Sequence, residues 1–316
     1  FRLDQARLHP AFASLMAALS AGAEKGGYEL SIANALWGQK GYGFLAEFLK
    51  TTREHYGAGL REIDFGADPE GARKTINQWV EDQTRNRIKD LLLPPDITPL
   101  TTLVLTNAIY FKGEWAWKFD EKATRKAPFT LPSGEKVQVP MMLQSRVFGY
   151  LEADDFQALE MPYAGGDLSV VVLLPREADG LPRLEELMTP ENLAAWLGRL
   201  RQREVAVMLP RFSFTARFEL QDVLREMGMK DAFSLPPADF SGMTGRKDLC
   251  ISKVIHKAFV DVTEEGTEAA AATAVVMKEG GARVLLFRAD HPFLFLIRDA
   301  KTGCILFMGR LTNPGK

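Results

Sequence analysis

Cysteine is close to absent: Cys250 and Cys304 are the only two in 316 residues. Two thiols cannot build a disulfide scaffold or a four-cysteine zinc centre. Each lies in an apolar, strand-like stretch, and both read as buried free thiols. The four histidines (His9, His55, His256 and His291) are scattered along the chain. His256, between Ile255 and Lys257, reads as a hydrogen-bonded core residue rather than a base or ligand. Gly-x-Ser-x-Gly, His-Glu-x-x-His, Gly-x-Gly-x-x-Gly and Walker sequences are all missing, which leaves a hydrolase or nucleotide-binding reading little support. Asp154-Asp155, an adjacent acidic pair ahead of a strand, reads as a solvated turn. Lys and Arg (39) nearly balance Asp and Glu (41), a net charge of −2, so neither nucleic acid nor an anionic membrane is an expected partner. No apolar run reaches membrane-spanning length and no signal peptide opens the sequence, so secreted and cytoplasmic locations both stay open. No metal or cofactor is implied.

Apolar residues at 46% and charged residues at 25% are ordinary globular values. No repeat, linker or charge shift divides the chain, and it reads as one domain over residues 1–316. Helical periodicity marks His9–Ala23, with Pro10 suited to a first turn, then Tyr42–Tyr56, Pro69–Asp90, Leu184–Leu200 and Leu220–Met227. Asp68 or Pro69 starts the third of these positions in the chain, with Ile76, Trp79, Val80 and Ile88 as its buried stripe. Tyr28–Leu36 alternates like a strand with Tyr28, Leu30, Ile32 and Leu36 on one parity. Thr102–Phe111 is nearly continuous apolar sequence, as in a strand covered on both faces. Val137–Met142, Phe156–Pro162, Leu168–Pro175 and Val205–Pro210 are further strands. Helices mostly first and strands mostly later argue for an α+β fold with large mixed or antiparallel sheets.

One segment is at odds with its surroundings. From Ala269 to Ala274 the chain is only alanine and threonine, preceded by Glu264-Glu265-Gly266-Thr267-Glu268. Propensity makes it a helix. Position places it between strand-like Ile251–Val262 and strand-like Ala282–Phe287 and His291–Ile297. Conflicting local signals of this kind suit a loop that changes structure.

Longer blocks bear on that loop. Thr106-Asn107-Ala108-Ile109-Tyr110-Phe111-Lys112-Gly113-Glu114-Trp115, then Leu159–Tyr163 with Leu168–Pro175, then His291–Ile297 through Gly303–Gly309 resemble the serpins, in order, from about His9 to the C-terminus. The resemblance implies a large mixed central β-sheet, further sheets, surrounding helices and a mobile reactive-centre loop at about 264–284. In that family a serine protease, less often a cysteine protease, cleaves the loop. The covalently attached acyl-enzyme is then trapped as the loop inserts into the large sheet. The hinge of the loop would be Gly266, Thr267, Glu268, Ala269, Ala270, Ala271, Ala272 and Thr273. Its residue types fit the task. Alternate positions Thr267, Ala269, Ala271, Thr273 and Val275 would pass beneath the sheet, and all are small or β-branched. Glu268 falls on the opposite parity; an inward charge would be buried without a partner. Gly266 supplies backbone freedom at the turn.

The resemblance implies further roles. Asn107 and His256 match a pair that hydrogen-bonds where the central strands part. Glu264 with Arg211, and Trp115, match residues where insertion begins. The reactive bond falls in the zone Lys278, Glu279, Gly280 and Gly281: the family's usual spacing from Gly266 gives Gly280, and spacing back from His291-Pro292 gives Gly281. Phe1–Leu8 corresponds to a point inside the family fold, with three helices and a strand before it. A chain lacking those elements would expose a large apolar patch, which points to truncation or a separate N-terminal fragment ahead of the alternative, a natural minimal serpin. His9–Ala23 has no Lys or Arg, which argues against heparin binding on that helix. The leading function is therefore a suicide-substrate inhibitor of serine proteases. The alternative is a non-inhibitory serpin acting as a carrier, chaperone or binding protein, whose hinge would commonly hold bulky, charged or proline residues.

Overall fold

The computed structural model describes residues 3–24, 28–57, 59–265 and 284–315. In chain order its elements are α1 (Gln5–Glu24), β1 (Tyr28–Gln39), α2 (Ala46–Tyr56), β2 (Arg61–Ile63), α3 (Pro69–Gln83), β3 (Leu103–Gly113), β4 (Arg125–Thr130), β5 (Lys136–Glu152), β6 (Phe156–Pro162), β7 (Leu168–Pro175), α4 (Leu181–Leu187), α5 (Pro190–Arg199), β8 (Arg201–Pro210), β9 (Phe212–Glu219), α6 (Gln221–Glu226), α7 (Ser241–Thr244), β10 (Lys253–Val262), β11 (Leu285–Arg288), β12 (Phe293–Asp299) and β13 (Ile305–Leu311). The fold is α+β with two mixed sheets.

Local chemistry sets the helix ends. Asp68 caps α3: its Oδ1 accepts from the Gly71 amide at 2.8 Å. A Cβ on Gly71 would lie 2.0 Å from the Asp68 carboxylate, so that cap needs glycine there. α3 stops at Gln83 rather than at Asp90, because Arg85, Asn86 and Asp90 all take left-handed backbone conformations (φ 52°, 60° and 48°). α2 starts at Ala46 rather than Tyr42, because Gly41 and Gly43 (φ 76° and 81°) hold a turn ahead of it. The expected helix Leu184–Leu200 is two helices. Thr189 caps the second, accepting from the Asn192 amide at 3.2 Å, and Pro190 cannot continue the first. α1 begins at Gln5, with Asp4 accepting from the Arg7 amide at 3.0 Å. It therefore carries Arg7 and places Pro10 in its interior rather than its first turn.

The described residues form two compact units. One comprises Phe1–Glu24, Glu29–Phe111 and Thr215–Val260 and holds a five-stranded sheet in the order β2-β1-β3-β10-β9. α3 covers it: Ala72, Ile76 and Val80 pack with Ala33, Ala35 and Trp37 of β1, Val104, Ala108 and Tyr110 of β3, and Ile255 of β10. On β1 the fully buried parity is Ala33, Ala35 and Trp37; on the other parity Tyr28 is buried, and Leu30, Ile32 and Leu36 are half-buried. On that face Ala33 and Ala35 leave room for α3 to approach, and Trp37 packs in the same cluster.

The second unit comprises Lys25–Tyr28, Lys112–Phe214 and Asp261–Lys316. Its eight-stranded sheet runs β11-β8-β5-β6-β7-β12-β13, with β4 also paired to β5. Every residue of β7 is buried, as its unbroken apolar run requires. Leu181, Leu184, Leu193 and Trp196 of α4 and α5 pack on Ala158, Val171, Leu173 and Leu296. Cys250 and Cys304 are free thiols, half-buried rather than buried, and both lie outside strands.

Candidate functional site

Within the first unit, β3 and β10 are neighbours and parallel, paired without interruption from Val104↔Lys253 to Phe111↔Val260. That register sets Asn107 directly opposite His256. The Asn107 Oδ1 accepts from His256 Nδ1, and the Asn107 amide Nδ2 donates to Asn34 Oδ1 on β1. The three side chains thus staple β1, β3 and β10 in a row. The pair is half-buried rather than buried, and Asn34 is exposed. Burial pushes the His256 imidazole below its ordinary value. The ring is therefore neutral near pH 7, and the proton it keeps is the one on Nδ1 that Asn107 needs. Phe218 stacks on the ring at 6.0 Å. One residue from Asn107, Thr106 Oγ1 accepts from Trp37 Nε1 at 2.9 Å, a second β1–β3 bond. A hollow of about 330 Å³ adjoins this row, lined by Leu36, Thr52, Tyr56, Leu105 and Val254 together with Asn34 and Asn107.

Within the second unit a separate cluster forms where β10 ends. The Trp115 indole N–H donates to the Thr263 carbonyl at 2.8 Å, and its ring stacks on Tyr163 at 4.7 Å with an 8° tilt. Phe119 meets Trp115 edge-on at 6.1 Å, and its amide donates to the Glu264 carbonyl at 2.8 Å. Glu264 is 4% exposed, a low value for a carboxylate. It has partners: Thr124 Oγ1 donates to Oε1 at 2.8 Å, and the half-exposed Arg211 guanidinium lies 3.7 Å from Oε2. The Thr124 contact has ordinary O–H···O hydrogen-bond length, whereas Arg211 at 3.7 Å is an ion pair beyond hydrogen-bond distance.

The structure therefore pairs Asn107 with His256, and groups Trp115, Glu264 and Arg211. Asn34, Thr124, Phe119 and Tyr163 are partners that the sequence reading did not name. Asn34 had a visible signal, a lone amide on the Leu30–Ile32–Leu36 parity. Tyr163 lay inside a motif already noted, and Thr124 had no signal at all. The hinge (Gly266 to Thr273) and the reactive-bond zone (Lys278 to Gly281) lie outside the described residues. Both clusters are built from hydrogen bonds and ring contacts that join neighbouring strands and loops.

A family model described as serpin (serine protease inhibitor) matches residues 1–314. Leukocyte elastase inhibitor of Bos taurus is 48% identical, over 97% of this chain and 83% of its own length. Serpin B3 of Homo sapiens is 48% identical, over 91% of this chain and 75% of its own. A serpin of Arabidopsis solved in its native stressed conformation superposes with a TM-score of 0.87 at 32% identity, covering 99% of this chain and 83% of that one. With its blocks in order and a match over almost its whole length, the chain belongs to the serpin family.

Proposed function

We propose that this protein inhibits serine proteases as a suicide substrate, through a loop that follows β10 and inserts between β3 and β10 after cleavage. The observation that carries the reading is the parallel β3–β10 seam, eight residue pairs long. A strand continuing from β10 through a tight turn would run antiparallel to it, and hence antiparallel to β3 as well. Insertion would replace one parallel ladder with two antiparallel ladders, the more stable pairing. One added ladder of this length brings about eight hydrogen bonds at about 1 kcal/mol net each, a driving force on the order of 8 kcal/mol before apolar burial is counted. The small inward parity of Thr267, Ala269, Ala271, Thr273 and Val275 supports the same reading and does not favour a carrier or binding role. The nucleophile would belong to the protease: its acyl-enzyme joins the carbonyl end of the cut, which is the end attached to β10.

Relatives named leukocyte elastase inhibitor make elastase-type serine proteases the first to try, and a glycine in the reactive zone suits a small-residue preference. Incubation with such a panel, followed by denaturing electrophoresis, is expected to show a covalent complex. Rapid loop cleavage without any complex would refute the inhibitory reading.

A further inference from the structure

Away from both clusters, within the first unit, a histidine of α1 meets a histidine of α2. The rings of His9 and His55 lie 5.9 Å apart, centre to centre, and 20° from parallel. Both residues are half-buried. That separation is too wide for face-to-face contact, which needs about 3.5–4 Å between atoms. It is the separation expected of two imidazoles on one metal ion: with zinc–nitrogen bonds of about 2.0–2.1 Å near the tetrahedral angle, the ring centres fall about 5–6 Å apart.

His9 also has the outer partner that a metal-bound histidine keeps. Its Nδ1 lies 2.8 Å from the Tyr56 hydroxyl. With Nδ1–H resting on that oxygen, Nε2 keeps its lone pair for an ion. Tyr56 is held in turn by edge-on contact with His9 at 5.7 Å and by Phe12 at 6.1 Å. His55 and Tyr56 end α2, which runs into Gly57 in a left-handed cap (φ 62°). The partial negative charge of a helix C-terminus favours a cation there. A hollow of about 720 Å³ opens beside His9, lined in part by Glu47, Thr51 and Asp239, and it leaves the ring open to approach. The other two histidines are committed elsewhere: His256 Nδ1 to Asn107, and His291 to Asp290 and the Pro175 carbonyl.

Among the described residues no group of three His, Cys, Asp or Glu side chains is placed to hold a metal ion. The pair therefore supplies two ligands, and a closed tetrahedral zinc site needs four. A two-fold axis through the ion makes up the number, because each copy then presents the same pair. We propose that His9 and His55 are half of a zinc site that a second copy of this chain completes, so that zinc joins two molecules through α1 and α2. Four imidazole nitrogens suit zinc and disfavour calcium and magnesium, which take oxygen ligands. Loop insertion plays no part in this assembly.

The test titrates the full chain with zinc chloride alone, at about pH 8 because protons compete with the metal for imidazole. Heat is followed by calorimetry and mass by sedimentation. Wild type is expected to take one ion per two chains and to sediment as a dimer that EDTA returns to monomer. His9→Gln and His55→Gln should each weaken binding about tenfold or more, at least about 1.4 kcal/mol, and abolish the dimer. Tyr56→Phe removes the outer partner and should weaken binding about tenfold. Melting in EDTA shows that each variant is folded. Cobalt(II) bound to wild type in place of zinc should give the intense visible absorption of a tetrahedral site, a readout that needs no variant. No binding by wild type, one ion per chain without a dimer, a weak octahedral cobalt spectrum, or binding unchanged in both histidine variants would each overturn the shared site.

Discussion

His291 gives a pH test whose sign follows from geometry. The side chain is buried, with Nδ1 3.0 Å from Asp290 Oδ1 and Nε2 2.8 Å from the Pro175 carbonyl. A neutral imidazole has one N–H and would turn a lone pair toward one of these acceptors; only the imidazolium satisfies both. Burial opposes the charge. The bonds to Asp290 and Pro175, with the charges of Asp290 and Glu177, outweigh burial and raise His291 above its ordinary 6.5. Asp290 moves the other way: burial raises it, but the bond from His291 and the Arg288 guanidinium at 2.8 Å bring it below 3.8. A raised histidine contributes stability that is fully present below about 6.5 and is lost as pH climbs through its folded value. A depressed carboxyl contributes stability that is present above about 3.8 and is lost as pH falls through its folded value. Melting followed from about pH 6 to about pH 9 should therefore fall in wild type, beyond the decline seen in His291→Gln, whose side chain cannot ionise. Parallel profiles for the two proteins would refute the assignment of a charged ring.

Two further outcomes follow. Thr267→Arg puts a charge on the inward hinge parity; it is expected to turn inhibitor into substrate, and an unchanged stoichiometry of inhibition would sink the parity argument. Asn107→Ala removes the amide between His256 and Asn34 and leaves the His256 N–H without its acceptor, a loss of about 1–3 kcal/mol. Thermal melting should drop accordingly, and a melting point equal to wild type would show that the row of three contributes nothing.

The parts of the fold that were legible in the sequence are those governed by neighbours along the chain. Asp68-Pro69 announced α3 because capping is local, and Leu168–Pro175 announced β7 because a strand buried on both faces must be apolar throughout. Where α3 ends was misread: Asn86 and Asp90 are residue types that tolerate a left-handed backbone, but the apolar spacing through Ile88 carried the expected helix past them. Which parity of β1 is the more deeply buried was not legible, because apolar residues stand on both and the packing of α3 decides. The Asn107–His256 pairing joins residues 149 apart in sequence, and nothing but resemblance pointed to it. Register between distant strands is a tertiary fact. The same holds for Asp96, which in the sequence is one acid in a Pro-rich turn and in the fold is a buried carboxylate gripped from β9 and β10.

β10 belongs to the five-stranded sheet and β11 to the eight-stranded one, where Leu285 is fixed opposite Val205. Neighbours along the chain are thus divided between sheets. If a protease cuts the connection between them, as proposed above, the upstream part stays covalently continuous with β10 and the downstream part with β11, so each product of the cut keeps an anchor in a different sheet.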